Sequence, residues 1–252
     1  MDRRLRLRFA PDVGAEDAAA VREALTGGLG ESQRLPDYGR SVKTFYRVPL
    51  PGGRALFVKR RRHSGCLRRL GRTLRRTKAE REFDNLLALR SRGVPCPDPV
   101  AVGRRYAKLL VAESLLAEAY LPESLPLSRA LAGAAGDADR DALLDGLFDF
   151  LSLLRSRGVV HGDLHWDNLL VCGGDQGREF RLIDALHVRL VTPPAADAFA
   201  DSVRWFLVML VHRHAPQTII DAFLDRVPRL GLAALGDRRR LLDEASRLAA
   251  KL

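Results

Sequence analysis

The sequence predicts an α+β fold with two lobes, a small strand-rich lobe followed by a larger and mainly helical one. Short β-prone segments separated by turns dominate the first part of the chain, and apolar residues at helical spacing dominate the rest. Pro122 and Pro126 mark a connector between these patterns, so we place the lobes at residues 1–121 and 122–252, together forming one domain. With 252 residues, the chain is long enough to bury a core of that kind.

The first lobe is expected to contain a small antiparallel sheet. Bulky and β-branched residues recur in short segments, and a Pro-Gly-Gly turn at 51–53 joins two of them into a hairpin that ends at Lys59. The predicted strands are Leu5–Phe9, Ser41–Val48, Arg54–Lys59, 108–111 and 115–120.

A helix is predicted after this hairpin. Thr77 and Glu80 match a capping box, in which each residue's side chain bonds the other's backbone N–H, so the helix should begin near Lys78. Gly93 and Pro95 then stop it. Beyond the connector, a strand-loop-strand segment is predicted at 159–171 and a further strand at 180–183. The predicted helices of this part of the chain are 140–157, 195–214, 219–224 and 237–252.

Positive charge is concentrated in one stretch of the chain. Between Arg54 and Arg81 there are twelve Lys or Arg and a single acid, Glu80, so this stretch accounts for the whole net charge of +11. A local basic block favours an anionic partner, such as a phosphorylated lipid, a membrane surface or nucleic acid, over a merely solvated face. Nucleic acid is disfavoured, because no aromatic residue for base stacking lies between Arg60 and Thr77.

The remaining composition indicates a cytoplasmic protein. Cys66, Cys96 and Cys172 lie far apart, which argues against a disulfide framework or a zinc site. Met1–Phe9 lacks the apolar run of a signal peptide, and the apolar run Trp205–Val211 is too short to cross a bilayer.

The segment His161–Val171 carries the strongest chemical signal. Within it, Asp163 is followed five positions later by Asn168 and then by a buried strand. A second strand ends in Asp184, 21 residues after Asp163. This arrangement resembles the catalytic loop and the metal-binding strand of the protein-kinase-like superfamily.

The chemistry of phosphoryl transfer explains these residue types. The acceptor hydroxyl has to be oriented towards the γ-phosphate of ATP, and metal ions have to neutralise the phosphate oxygens. Asp163 can accept the hydroxyl proton, and it is the candidate catalytic base. Asn168 and Asp184 offer the hard oxygen ligands that Mg²⁺ prefers.

The resemblance implies a lysine on the third strand and a glutamate on the next helix. Lys59 ends the Arg54 strand and corresponds to the lysine that holds the α- and β-phosphates of ATP. Glu82 and Glu80 compete as its partner. We choose Glu82, because Glu80 fits the cap position, where its side chain turns back on the backbone.

The phosphate-binding loop is poorly marked. The superfamily places several glycines ahead of the Val42 strand, whereas only Gly39 is present here. Ser41 and Lys43 are the candidate phosphate-contacting residues of this loop, with a plain turn as the alternative.

Two further runs narrow the resemblance to one family. Ala79–Leu86 leading into Gly93–Val100, and Arg181–Leu190 around the metal aspartate, are similar to segments of the lipopolysaccharide kinase family, which includes Kdo kinases and core heptose kinases. The resemblance spans roughly 41–210. It implies transfer of the ATP γ-phosphate to an inner-core sugar at the cytoplasmic face of the inner membrane. The basic stretch would then contact that anionic surface.

Departures from the protein-kinase pattern bear on regulation and substrate. Gly162 stands where protein kinases have an arginine, and Asp184 is followed by Ala-Leu rather than Phe-Gly. Control by a phosphorylated activation loop is therefore not expected, and an open site suits a small or extended substrate. Another small-molecule or protein kinase, or a pseudokinase scaffold, remains an alternative, and the oligomeric state is left undecided.

The neighbours of the motif receive structural interpretations. His161 is expected to orient Asp163, and Asp167 to be solvated. Asp201 is expected either to bond the catalytic-loop backbone or to lie at the surface. Trp166 and Trp205 are expected to pack.

Overall fold

The computed structural model describes residues 4–27, 29, 33–35, 43–174, 177–192 and 196–252. The chain divides into two compact units. Unit 1 comprises Met1–Arg90 and Pro97–Pro122, and unit 2 comprises Ser91–Cys96 and Glu123–Leu252. Unit 1 is rich in strands and unit 2 is mainly helical, which confirms the predicted α+β class.

An antiparallel sheet forms the centre of unit 1. In the described residues its order is β1-β5-β6-β4-β3-β2, and a short 3₁₀ turn at Pro51–Gly53 joins β3 to β4. The strands are β1 (Leu5–Phe9), β2 (Gln33–Leu35), β3 (Lys43–Pro49), β4 (Ala55–Arg62), β5 (Pro99–Ala107) and β6 (Leu110–Ala119).

The predicted pair of strands at 108–111 and 115–120 is wrong in detail. A single strand, β6, covers residues 110–119, residues 108 and 109 form the turn before it, and β5 precedes it as its hairpin partner. Glu113 and Ser114 lie between the two predicted segments, and Glu113 is buried and pairs with Arg105 and Arg62 on the neighbouring strands. Compensation of a buried charge across the sheet therefore lets the strand continue.

The helices of unit 1 are α1 (Ala15–Thr26), α2 (Cys66–Leu74) and α3 (Lys78–Ser91), whose last residue falls in unit 2. Val21 and Leu25 of α1 pack in a buried cluster with Leu56 and Val58 of β4. Side chains alternate between the two faces of a strand, so Lys59 lies on the opposite face from Val58.

The start of α3 agrees with the capping-box prediction. Glu80 accepts a hydrogen bond from the Thr77 backbone N–H at 2.7 Å, and the Thr77 hydroxyl accepts one from the Glu80 N–H at 3.2 Å. The helix begins at Lys78 and buries Phe83, Leu86 and Leu89. The two donors at the helix end are thereby satisfied, which fixes where the helix starts.

Unit 2 combines helices with short strands. In the described residues one small sheet has the order β10-β9-β7, and β8 pairs with β11 in another. The elements are β7 (Leu125–Pro126), α4 (Leu127–Ala132), α5 (Asp137–Ser156), β8 (Val159–His161), β9 (Leu169–Gly174), β10 (Gly177–Leu182), β11 (Val188–Leu190), α6 (Ala196–His212), α7 (Gln217–Arg226) and α8 (Arg238–Ala249).

An aromatic cluster joins three of these helices. Phe148 of α5 and Phe206 of α6 each place their ring centroid 5.1 Å from that of Phe223 on α7. All three side chains are almost fully buried. This core supports α6, which carries residues that contact the predicted catalytic loop. None of the helices in the described residues is long and apolar enough to span a membrane.

Candidate active site

Lys59 lies in the middle of the unit 1 sheet. It is paired across the strands with Phe45 of β3 and Leu116 of β6. Its Nζ lies 2.6 Å from Oε1 of Glu82, and both side chains are largely buried. The structure thus brings together the lysine and the glutamate that were predicted to pair, with Lys59 on β4 and Glu82 on α3.

A second carboxylate holds the same lysine. Oε1 of Glu118, near the end of β6, lies 2.9 Å from Lys59 Nζ, and the Glu118 side chain is only 3% exposed. No sequence pattern marks Glu118, because only the strand register places it beside Lys59. With both carboxylates ionised, the three side chains carry a formal charge of −1 in a buried setting. A polyphosphate would then need added cations to bind favourably beside them.

Glu80 contacts Thr77 and Arg104, in agreement with its predicted position in the capping box. Besides the Thr77 contacts, its carboxylate accepts hydrogen bonds from Arg104 of β5 at 2.6 and 2.7 Å. Burial alone would raise the pKa of Glu80, but the hydrogen bonds from Arg104 and Thr77 outweigh it and lower that pKa below its ordinary value. Glu80 therefore bonds the start of α3 and Arg104 of β5, and Glu82 is the α3 glutamate that contacts Lys59.

The loop residues predicted to contact phosphate are only partly described. Ser41 and Gly39 lie outside the described residues. Lys43 begins β3 and is the cross-strand partner of Arg61. Burial, followed by the charges of Arg61, Lys43 and other nearby arginines, lowers the pKa of Lys78 at the start of α3. Lys43 thus belongs to a region of strong positive potential, which would favour an anionic ligand.

In unit 2, the predicted catalytic loop connects β8 to β9. Asp163 Oδ1 accepts a hydrogen bond from the indole N–H of Trp205 on α6, at 3.2 Å. The backbone carbonyl of Asp163 accepts one from the side-chain amide of Asn168, at 2.8 Å. Hydrogen bonds therefore fix both the side-chain carboxylate and the backbone carbonyl of Asp163. Trp205 was expected only to pack, so its contact with Asp163 was missed.

The imidazole ring of His161 stabilises the predicted catalytic loop through hydrogen bonds. Its Nδ1 accepts a hydrogen bond from the Asp163 backbone N–H at 3.1 Å, so the proton of the neutral ring resides on Nε2. Nε2 lies 3.2 Å from the backbone carbonyl of Asp184, to which it donates. Burial is the main cause that lowers the pKa of His161 to about 4, so the ring is neutral at pH 7. One imidazole thereby links the segments that carry Asp163 and Asp184.

Asp184 stands at a constrained point of the backbone. It follows β10 with φ 53° and ψ 52°, the left-handed region that few non-glycine residues adopt. The preceding residue, Ile183, donates its N–H to the Asn168 carbonyl at 2.9 Å. Asn168 and Asp184 are therefore coupled through adjoining backbone, and strain at such a position is typical of functional sites.

The donor set of unit 2 fits magnesium better than a transition metal. No group of three or more His, Cys, Asp or Glu that could hold a metal occurs in the described ranges. Magnesium needs only one or two protein oxygens when phosphates and water complete its shell. The Asn168 amide nitrogen is engaged with Asp163, so its oxygen is the atom suited to a cation. Asn168 and Asp184 fit that pattern.

Other residues near the loop have structural roles. Ser202 of α6 accepts the His161 backbone N–H through its hydroxyl at 3.1 Å. Asp201 is 71% exposed and pairs with Arg204, so the surface alternative applies to it. Asp167, expected to be solvated, instead contacts Ser128 and Arg213. Ser202, rather than Asp201, is thus the α6 residue that bonds the loop backbone.

Solved structures share this fold. WaaP in complex with acyl carrier protein matches at 17% identity over 98% of each chain, with a TM-score of 0.58. The Rio2 kinase complex with ADP, Mg²⁺ and phosphoaspartate from Chaetomium thermophilum matches at 18% identity over 96% of this chain and 81% of that one, with a TM-score of 0.51. These similarities confirm the predicted protein-kinase-like fold. No curated protein matches the sequence.

The family model for lipopolysaccharide kinases (Kdo/WaaP) matches residues 31–198. That range includes Lys59 and Glu82 with their capped helix, and the whole segment from Asp163 to Asp184. It covers two thirds of the chain, and it agrees with the resemblance on which the sequence argument relied. The protein therefore belongs to the lipopolysaccharide kinase (Kdo/WaaP) family and is a phosphotransferase of the protein-kinase-like fold.

Proposed function

We propose that this protein transfers the γ-phosphoryl group of ATP to a hydroxyl of an inner-core sugar of lipopolysaccharide, Kdo or heptose. The observation that carries the proposal is the fixed carboxylate of Asp163. The Trp205 N–H, the Asn168 amide and the His161 ring all constrain that residue. A carboxylate held in this way can orient a sugar hydroxyl, and membership of the family supplies the class of acceptor.

The proposed step is an in-line displacement. Asp163 accepts the proton of the sugar hydroxyl while the sugar oxygen bonds the γ-phosphorus. The bond between that phosphorus and the β–γ bridging oxygen breaks, and ADP leaves with the electron pair. Magnesium would neutralise the phosphate oxygens, and Asn168 and Asp184 would hold it.

Unit 1 carries further residues to which the proposal assigns nucleotide binding. Lys59, held by Glu82 and Glu118, would contact the α- and β-phosphates, and Lys43 would add positive charge. Ser41 would contact phosphate from the preceding loop. In this proposal Lys59 and Glu82 take part in nucleotide binding, and Asp163 takes part in transfer.

The basic stretch Arg54–Arg81 would bring the protein to its acceptor. Lipopolysaccharide precursors lie in a membrane whose surface is anionic, and juxtamembrane cations gain from that potential. Binding would be peripheral, on the cytoplasmic face of the inner membrane, and salt would weaken it. Reversal of the charges of Arg68, Arg69, Arg72, Arg75 and Arg76 should release the protein from anionic vesicles.

A transfer assay tests the sugar acceptor. Purified protein, radiolabelled ATP and Mg²⁺ are incubated with lipid A carrying Kdo, the same acceptor extended with heptose, free sugars and a casein control. We expect label on one of the two glycolipids, and mass spectrometry of the product should show a phosphate-sized increase on the core. Label on casein or on free sugars alone would contradict the proposal and favour a different kinase of this fold.

An Asp184→Asn variant tests the magnesium assignment. Loss of one charged ligand should weaken binding of the magnesium–nucleotide complex about tenfold or more, with little effect on the metal-free nucleotide. Calorimetric titrations with and without Mg²⁺ measure this difference, and Asp201→Asn on the exposed face of α6 is the matched control. Equal affinities for the variant and the unchanged protein would remove Asp184 from the metal site.

A further inference from the structure

Exposed leucines are concentrated at one place on unit 1. Among the described residues, seven large hydrophobic side chains are exposed, and four of them lie on α2 or on the neighbouring β5–β6 turn. Leu67 is 85% exposed, Leu70 43%, Leu74 76% and Leu109 86%. Single exposed leucines are common on soluble proteins, but a group of four on adjacent elements is not. We call these four residues the leucine patch.

The leucine patch has a consistent geometry. Leu67, Leu70 and Leu74 follow one another at intervals of three and four residues, so they lie on one face of α2. Leu109 lies in the turn before Val111, whose backbone N–H donates to the Thr73 hydroxyl at 2.9 Å. That hydrogen bond places the β5–β6 turn beside the last residues of α2, at the end of the helix that carries Leu74.

The opposite side of α2 is fixed to the sheet. Arg104 of β5 donates to the backbone carbonyls of Arg72 and Thr73 at 3.2 and 3.1 Å, and to that of Arg75 at 3.1 Å. Arg69 donates to the His63 carbonyl at 2.9 Å. A roll of α2 that buried its leucines would break these hydrogen bonds. The folded unit therefore holds the apolar face outward.

Positive charge surrounds the patch. Helix α2 contains no acidic residue, and Arg68 and Arg75 are exposed beside its leucines. Lys108 is exposed next to Leu109. An apolar stripe bordered by arginine and lysine is the pattern of a helix that lies in a membrane interface, where the cations stay among the lipid phosphates.

We infer that the leucine patch inserts into an anionic lipid leaflet and that α2 lies in the plane of the interface. The inference rests on the proposed function, since the proposed acceptor is a glycolipid, and it adds an apolar contact to the charge attraction described above. A bilayer needs no groove to receive leucines that project this far, whereas a protein partner does. Repulsion between like charges disfavours a second copy of the chain on the same surface.

Cys66 provides a direct probe of insertion. It is the first residue of α2 and is exposed, whereas Cys96 and Cys172 are buried. An environment-sensitive fluorophore attached to Cys66 should brighten and shift to shorter wavelength with vesicles of phosphatidylcholine and phosphatidylglycerol. Nitroxide-labelled lipids should quench it when the nitroxide lies near the acyl boundary. Vesicles of phosphatidylcholine alone should produce a much smaller response, because the charge attraction is missing.

Matched leucine variants separate insertion from charge attraction. Replacement of Leu67, Leu70 and Leu74 by serine should lower vesicle partitioning by about a hundredfold, since each exposed leucine contributes apolar area. The control is Leu248→Ser with Leu252→Ser, two exposed leucines on or after α8, which should leave partitioning unchanged. Thermal unfolding and nucleotide titration of each variant check that the fold is retained.

Several outcomes would overturn the inference. Vesicle binding without a change in the Cys66 probe, or full binding by the triple serine variant, would show attraction by charge alone. If the Cys66 probe responds to an acidic soluble protein but not to vesicles, the leucine patch binds a protein partner. If it responds to self-association, measured by sedimentation, but not to vesicles, the patch binds a second copy of the chain. Transfer assays with the two glycolipid acceptors dispersed in detergent run in parallel: no transfer to either, with intact insertion into vesicles, would contradict the proposed function and leave this inference standing.

Discussion

The two units stabilise their chemical groups in different ways. In unit 1, side-chain ion pairs between regular elements hold Lys59, with Glu82 on a helix and Glu118 on a strand. In unit 2, hydrogen bonds to backbone atoms hold Asp163 and Asp184 on irregular segments, and a neutral buried imidazole connects them. The lysine cluster of unit 1 therefore depends on ion pairs, and the aspartates of unit 2 depend on the backbone shape of their loops.

This difference predicts different responses to substitution. Removal of Lys59 leaves the buried carboxylates of Glu82 and Glu118 without their cation, so both folding and ligand binding should suffer. Removal of a carboxylate from the Asp163 loop leaves most of the backbone contacts intact, so chemistry should suffer while folding does not. The predictions below test this contrast, from the largest effect to the smallest.

Asp163→Asn should produce the largest loss. The amide keeps the size of the side chain but cannot accept the hydroxyl proton, so transfer should fall about 10³-fold. Nucleotide affinity and melting temperature should change little, because the contacts of the Asp163 backbone remain. Single-turnover transfer, calorimetry and thermal unfolding measure the three quantities. Full activity in this variant would refute Asp163 as the base, and a lost fold would refute the contrast between the units.

Acid should destabilise the protein through His161. The folded pKa is about 4 and the ordinary value is 6.5, so the unfolded state binds the proton more readily between these values. The stabilisation is fully present above pH 6.5 and is lost as pH falls towards 4, by up to about 3 kcal/mol. Denaturant unfolding from pH 7 to pH 4 measures the slope.

Two variants isolate this histidine from other titrating groups. His161→Asn removes the titrating group, so the slope between pH 6.5 and 4 should become shallower. His214→Asn is the control, since His214 is exposed at φ 55°, a conformation that asparagine tolerates. An identical slope in the His161 variant and the unchanged protein would contradict the buried neutral imidazole.

Trp205→Phe should have a smaller effect confined to turnover. Phenylalanine preserves the packing but removes the N–H that bonds Asp163, a hydrogen bond to a charged group. We expect kcat to fall about tenfold while the KM for ATP stays within a factor of about two. Trp166→Phe, in the same loop, is the control. Equal rises in KM for both variants would indicate a merely structural role for Trp205.

Thr77→Ala tests the capping box and should have the smallest effect. Loss of the hydroxyl that accepts the Glu80 N–H should lower the free energy of unfolding by about 1 kcal/mol. Thr26→Ala, whose hydroxyl donates only to the Arg22 carbonyl at an exposed helix end, should cost less. Denaturant unfolding measures both. A larger loss of unfolding free energy in Thr26→Ala than in Thr77→Ala would contradict a stabilising role for the capping box.

Local sequence signals predicted much of the fold. The capping box gave the first residue of α3, and the Pro-Gly-Gly turn gave the β3–β4 hairpin. Helix α1 was not predicted, because only Val21 and Leu25 are buried on it and alanines fill much of the rest. The missed strand β5 contains Gly103 and two arginines, so its pattern is weak until its neighbours pair with it.

The candidate site was predictable where a family pattern has fixed spacing. Asp163, Asn168 and Asp184 stand at the intervals that the resemblance to kinases predicts, and these intervals are visible in one sequence. Glu118 and Trp205 lie on a strand and a helix that look ordinary in sequence. Their contacts with Lys59 and Asp163 depend on strand register and helix rotation, which no short pattern encodes.

Two glutamates on α3 fasten that helix to two strands of the same sheet. Glu80 binds Arg104 on β5, and Glu82 binds Lys59 on β4. Many protein kinases switch off by swinging the corresponding helix outward, which separates the lysine from its glutamate. Here any such swing would have to break both of these ion pairs, in addition to those of Asp84 with Arg8 and of Arg90 with Asp12. The position of α3 is therefore set from its first turn to its last, and not by the Lys59–Glu82 contact alone.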